Sequence, residues 1–271
     1  MPFDKKKYEA KTNSFKSKSY KKKYVWFYGH HACISALNNS DRNIYKVLIK
    51  KNLNINIVKK IKYLIEQRKP NIRLEIVSEE ILASITGKNT VHQGVAIQVS
   101  PMEIINFEQA CRYTFNQNKK FFIIALDQIT DPQNIGAIIR SSAALGAKYL
   151  FISKRNVFLE TGTLAKIASG GLEKINLIYY TNLSRSLTKL KTMGWKVIGL
   201  DTNGNCTLSE AAASMENESK IILVCGGENK GLRRLTKENC DLLACIQQTE
   251  NSIESLNTAT AAAIGIYELL N

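Results

Sequence analysis

The chain has 271 residues, enough for one large or two modest domains, and its 44% hydrophobic and 8% aromatic content is ordinary for a globular protein. No apolar run reaches the roughly 18 residues of a membrane span, the charged N-terminus offers no secretion signal, and six scattered cysteines without paired CxxC spacing exclude a zinc ribbon and fit a reduced, cytoplasmic protein. A net charge of +15 points to a polyanionic partner, foremost a nucleic acid.

Residues 1–24 hold nine lysines and two acids, so +7 of that charge sits in the first segment. Residues 1–23 have almost no apolar content and are expected to be disordered without a partner. Such a tail either touches a polyanion or is simply solvated. Its use of Lys rather than Arg, with Asp4 and Glu9 interspersed, sets it apart from a transit peptide.

From Tyr24 the pattern changes. Strands are predicted at 25–28, 44–50, 72–77 and 93–99, with helices between them at 30–38, 55–68 and 79–86. This alternation predicts a small α/β domain over 24–100 with a mostly parallel sheet, closed by Ser100-Pro101. The second domain, 101–271, opens with a predicted helix at 103–117 and a continuous apolar strand at 121–126. Further buried strands are predicted at 148–152, 175–179, 195–200, 221–225 and 242–246, and helices at 133–145, 160–168, 182–192 and 256–270. Alternating apolar strands and helices again predict an α/β fold with a parallel sheet.

Three polar loops follow such strands or precede a helix, where open α/β sheets keep their ligands. The first, 127–140, puts Asn134 and Gly136 in the first turn of a helix and Arg140 on a later one. Six residues separate Asn134 from Arg140, so the two share no helix face, and Asp131 or Asn134 acting as a helix cap explains this loop equally well. The second, 225–234, runs Cys225-Gly226-Gly227-Glu228 and on to Gly231. Its glycines let backbone approach a ligand, with a carboxylate in the middle. It is neither a P-loop nor a GxGxxG fingerprint, and a tight turn remains open. The third, 254–260, sets Ser255 and Asn257 ahead of an Ala-rich helix, as site residues or as its N-cap. A Ser-His-Asp hydrolase is disfavoured: His30, His31 and His92 all lie in the first domain and no GxSxG elbow exists. Cys240 and Cys245 have no nearby His and read as core.

In this order and spacing the loops resemble the SpoU (TrmH-type) family of SPOUT-class RNA ribose 2′-O-methyltransferases. The resemblance rests on Asn134-x-Gly136-x-x-x-Arg140, Gly226-x-Glu228-x-x-Gly231 and Ser255-Leu256-Asn257, and covers 121–271. It extends to the first domain through Tyr28-Gly29-His30-His31-Ala32 and His92-Gln93-Gly94-Val95-Ala96, typical of members with a ribosomal-protein-like RNA-binding domain, especially the bacterial 23S rRNA guanosine 2′-O-methyltransferases.

The resemblance implies a SPOUT α/β-knot domain with a deep trefoil knot, S-adenosylmethionine as cofactor, and a homodimer with sites across its interface. Helix 256–270 could serve that interface or only the core. The implied catalytic residues are Asn134, Arg140, Glu228, Ser255 and Asn257. The implied cofactor site is Cys225, Gly226, Gly227, Glu228, Gly231, Ile246, Gln247, Gln248, Ser255, Leu256 and Asn257, with no metal. The chain departs from the family where Pro-Met-x-Gly usually precedes Ser-Leu-Asn: it reads Gln248-Thr249-Glu250-Asn251. Asn251 can adopt the left-handed geometry of the usual glycine, while loss of the proline loosens the loop. The implied function is methylation of a ribose in rRNA, a guanosine of 23S rRNA foremost. A tRNA substrate, or a non-catalytic RNA-binding or ribosome-assembly role on the same fold, are the alternatives.

Overall fold

A computed structural model describes residues 24–68, 72–102, 105–115, 120–154, 161–227, 230–249 and 255–270. The basic tail read over 1–23 lies outside the described residues. The N-terminal part folds as β1 (Val25–Tyr28), α1 (His30–Asn38), β2 (Ile44–Lys50), α2 (Ile55–Glu66), β3 (Arg73–Val77), α3 (Glu79–Thr86) and β4 (Val95–Val99). Its sheet has the order β1-β4-β2-β3. Only β2 and β3 are parallel; β4 inserts between β1 and β2 and runs antiparallel to both. The expected mostly parallel sheet is therefore mixed. A parallel pair needs a long crossover, which α2 supplies between β2 and β3, while β4 pairs antiparallel with strands far from it in sequence.

The C-terminal part contains β5 (Ile105–Asn106), α4 (Phe107–Gln109), β6 (Phe121–Asp127), α5 (Pro132–Leu145), β7 (Tyr149–Ser153), α6 (Gly162–Ile167), β8 (Asn176–Tyr180), α7 (Leu183–Lys191) and β9 (Lys196–Leu200). It continues with β10 (Cys206–Thr207), α8 (Leu208–Ser214), β11 (Lys220–Gly226), α9 (Arg234–Lys237), β12 (Leu242–Cys245) and α10 (Thr258–Leu270). All pairings in its sheet, of order β10-β12-β9-β11-β6-β7-β8-β5, are parallel. Alternate residues of β6 serve opposite cores. Phe122, Ile124 and Leu126 pack with Ile135 and Ile139 of α5 and Ile266 of α10, whereas Ile123 and Ala125 pack with Leu187 of α7 and Trp195. Helices thus cover both faces, as a parallel sheet requires.

The helix expected at 103–117 is not formed as one piece. Ile105 and Asn106 pair with β8 at the sheet edge, Asn106 then caps α4 through the Glu108 N–H, and a wider π-type turn, Ala110–Thr114, follows. The apolar spacing of Phe107, Ala110, Cys111 and Phe115 serves burial in both arrangements.

The two sheets meet through α6 and the turn after it. The Tyr28 hydroxyl lies 2.7 Å from that of Thr163, and a Cβ on Gly162 would lie 2.4 Å from the Tyr28 ring. Arg42 and Glu173 form an ion pair of 2.8 Å with side chains only 3% and 4% exposed. Arg42 also donates to the Ser100 carbonyl at 2.7 Å, fixing the chain as it leaves the first sheet.

Candidate active site

At the C-terminal end of β6, Asp131 caps α5, its carboxylate accepting the Gln133 and Asn134 N–H groups at 3.2 Å each, with Pro132 at the first helical position. This places the Asn134 side chain, 8% exposed, at the mouth of the helix. Asn257 approaches it from the far end of the sequence. Its Nδ2 donates to Asn134 Oδ1 at 3.0 Å, while its own Oδ1 accepts the Ala259 N–H at 2.9 Å and so starts α10. One residue on, the Thr258 hydroxyl donates to the Gly226 carbonyl at 3.2 Å. Strand β12 is separated from β11 by β9. Asn257 and Thr258 nevertheless lie against Asn134 and Gly226, and all three loops converge there.

The glycine loop is a tight turn. Gly227 and Gly231 form an antiparallel bridge, the Gly231 N–H donating to the Gly227 carbonyl at 2.8 Å. A Cβ on Gly226 would lie 2.3 Å from the Gly231 carbonyl carbon, and Gly231 itself has φ +56°. Only glycine leaves backbone this close to backbone. On α5, a Cβ on Gly136 would come within 2.6 Å of the Ile167 side chain, so Gly136 is spent on helix packing.

A buried charge underlies this turn. Asp127, the last residue of β6, is fully buried. Its carboxylate accepts from Arg233 Nη2 at 2.6 Å, Nε at 2.7 Å and the backbone N–H at 3.0 Å, and its carbonyl accepts the Gly227 N–H at 3.1 Å. Four residues on, Lys237 pairs at 2.5 Å with Asp201, just beyond β9. The segment leaving the glycine turn is thus tied to the ends of two strands. Burial, and then the neighbouring Asp127 carboxylate, push the Tyr180 hydroxyl well above the usual phenol range; that hydroxyl donates to the Leu126 carbonyl. Burial pushes the Cys225 thiol up to about 12, which leaves it uncharged and inert near neutrality.

The structure brings together Asn134, Asn257, Gly226, Gly227 and Gly231. Asn257 caps α10 and touches Asn134, and Asp131 is the cap of the first loop. Arg140 lies further along α5 and is exposed. Ser255, Gln247 and Gln248 are exposed, Ile246 and Leu256 half-buried, and Cys225 is inside β11. Glu228 and Glu250-Asn251 lie outside the described residues. Sequence reasoning missed Asp127, Arg233 and Thr258. An acid ending an apolar strand was the available signal for Asp127. Among the described residues, no three His, Cys, Asp or Glu side chains gather as a metal site, and no helix is long and apolar enough to cross a membrane.

The fold is that of SpoU-type methyltransferases. AviRb of Streptomyces viridochromogenes, solved in complex with the cofactor AdoMet, superposes with TM-score 0.71 over 92% of this chain and 89% of its own, at 20% identity. Residues 121–267 match the model of the SpoU rRNA Methylase family, and 26–104 match that for RNA 2′-O ribose methyltransferase substrate binding. The chain is 33% identical to the TrmH-family protein YacO of Bacillus subtilis, over 89% of this chain and 93% of that one. It is likewise 33% identical to the 23S rRNA (guanosine-2′-O-)-methyltransferase RlmB of Blochmanniella floridana, over 89% and 92%. This chain belongs to the SpoU rRNA methylase family.

Proposed function

We propose that the chain methylates the 2′-hydroxyl of a ribose in rRNA, a guanosine of 23S rRNA, using S-adenosylmethionine. The observation that carries this reading is the Asn257–Asn134 amide contact, which with Thr258–Gly226 joins three sequence-distant loops at one sheet end. The glycine turn suits a cofactor site: at Gly226, where a Cβ would collide with Gly231 backbone, the absence of side chains lets main chain lie close-packed at the strand ends. Gly226, Gly227, Glu228, Gly231, Ile246, Gln247, Gln248 and Leu256 would hold it, with Cys225 buried behind. When bound it supplies an electrophilic methyl group on a sulfonium. Catalysis by the protein is then mostly alignment of the attacking hydroxyl. Asn134 and Ser255 would orient the ribose, Asn257 would brace the cofactor loop, and Glu228 would accept hydrogen bonds that hold the site together. Arg140, a donor with no acceptor capacity, acts as a fixed positive charge on phosphate or on developing alkoxide rather than as a base.

The same reading takes 24–100 as the substrate-binding domain, 101–271 as the catalytic domain, and the 246–257 segment as part of a trefoil knot. It includes a homodimer, supported by Ile264, Tyr267 and Leu270, which expose an apolar stripe on α10. A cytoplasmic setting is supported by six cysteines, all free thiols. The test is methyl transfer from labelled S-adenosylmethionine to a 23S rRNA transcript. Wild type is expected to label a ribose and Arg140→Ala to fall by at least tenfold; near-normal labelling by Arg140→Ala overturns the site. Calorimetry of S-adenosylmethionine with the folded protein separates the enzyme from a non-catalytic RNA binder, which would show no binding.

A further inference from the structure

We infer that the outer face of α2, built from Lys59, Lys60, Lys62 and Tyr63 and extended by Lys51, is the surface that grips the RNA backbone in the N-terminal domain. This rests on the RNA-methyltransferase reading above and places its substrate contact. The first clue is where the charge lies. Beyond the basic tail the chain carries +8, and residues 44–65 alone hold six lysines and no acid.

The second is which of these charges are already used. Lys46 pairs with Glu75 at 2.7 Å, and Lys50 with Glu79 at 3.6 Å. Arg68, which follows α2, is engaged by the Ala36, Asn39 and Arg42 carbonyls. Among the described residues, Lys51, Lys59, Lys60 and Lys62 have no carboxylate partner, and all four are exposed.

The third is what they surround. Tyr63 is 60% exposed, one helical turn from Lys59 and Lys60 and next to Lys62. The opposite face of α2 buries Ile61 and packs Ile57, Val58, Leu64 and Ile65 on the core, so the ring is not needed there. The ring faces outward among the lysines and not into the core. Cations beside an aromatic platform match a nucleic-acid strand, whose phosphates take the lysines and whose bases stack. An acidic polypeptide would satisfy the lysines but not the ring.

The experiment measures full-length protein binding to a 23S rRNA transcript, and separately to poly-glutamate, across 50–300 mM KCl. Replacing all four lysines with Gln should reduce the slope of log K against log[salt] by roughly 3, at ~0.7–0.9 per phosphate contact. Replacing Lys46 alone should change it little. Tyr63→Ala should weaken RNA binding roughly five- to hundredfold, with Tyr63→Phe restoring it. S-adenosylmethionine binding and the melting temperature should stay at wild-type values in every variant. An unchanged salt slope in the four-lysine variant overturns the assignment, as does poly-glutamate binding that equals RNA binding and is lost in parallel. Failure of the underlying reading looks different: wild type itself would transfer no methyl group from labelled S-adenosylmethionine to the transcript, whatever its salt slope.

Discussion

The Asp127–Arg233 pair yields a prediction that runs against simple burial. Asp127 is fully buried, whereas the Arg233 side chain is 45% exposed. Ranking by burial makes Asp127 the costlier residue to lose. The electrostatics say otherwise. Arg233→Ala strands a carboxylate out of water with no counter-charge, a change of roughly 3–5 kcal/mol for buried pairs. Because Arg233 is half in solvent and the pair partly screened, about 3 kcal/mol is the fitting end of that range. Asp127→Ala removes the charge that needed compensation, and the freed guanidinium turns into water. What remains is lost hydrogen bonding to the Arg233 N–H, about 1–2 kcal/mol. In urea unfolding, with a slope of about 3 kcal/mol/M, the midpoint should fall by about 1 M for Arg233→Ala and by about 0.3–0.7 M for Asp127→Ala.

The double variant Asp127→Asn/Arg233→Gln separates stability from function. A neutral hydrogen-bonding pair should restore the stability to within about 1 kcal/mol of wild type, since both charges leave together. The turn at Gly227–Gly231 would still lose its charged anchor, so S-adenosylmethionine affinity should fall about tenfold, or ~1.4 kcal/mol. Equal midpoints for the two single alanine variants would refute the electrostatic ranking. Wild-type cofactor affinity in the stable double variant would show that the pair only holds the fold.

Three further outcomes follow from the same geometry. Arg42→Ala, which leaves Glu173 buried at the junction of the two sheets, should lower stability by about 3–5 kcal/mol in urea unfolding. Gly226→Ala should abolish cofactor binding in calorimetry, because its Cβ would lie 2.3 Å from Gly231 backbone, whereas Gly146→Ala, with φ +90° but nothing within 4 Å, should cost about 1 kcal/mol and leave binding intact. Burial raises the thiols of Cys225 and Cys240 from 9.0 to about 12, so the folded state keeps protons that the unfolded state sheds. Their contribution is complete below pH 9 and is lost as pH rises toward 12, which a series of urea midpoints over that range should show as a steady decline.

The elements legible in the sequence were those whose signal is local. Strand β2 and helices α1 and α3 fall at their predicted bounds because apolar runs and helical spacing are properties of a few adjacent residues. Helix α8 was legible and went unread: Thr207-Leu208-Ser209-Glu210 is a capping box, with the Thr207 hydroxyl accepting the Glu210 N–H and the Glu210 carboxylate accepting the Thr207 N–H. Its length of seven residues, straight after a two-residue strand, hid it among small residues with little apolar periodicity. The direction of β4 was not legible at all, since pairing Val95–Val99 with β1 and β2 depends on partners more than 45 residues away.

The candidate site divides along the same line. Asn134, Gly226 and Asn257 stand out as types, and their order carried the family resemblance, but their contacts span 123 residues for the amide pair and 32 for Thr258–Gly226. Asp127 and Arg233 lie 106 apart and belong to no spacing that a single chain displays. Yet Asp127 broke a local rule in plain view, as a carboxylate ending the apolar strand 121–126, and the structure buries it fully. A buried charge is retained only where a partner compensates it. The acid should have been read as a demand for a cation, and the Arg233-Arg234 dipeptide just beyond the glycine turn was there to meet it.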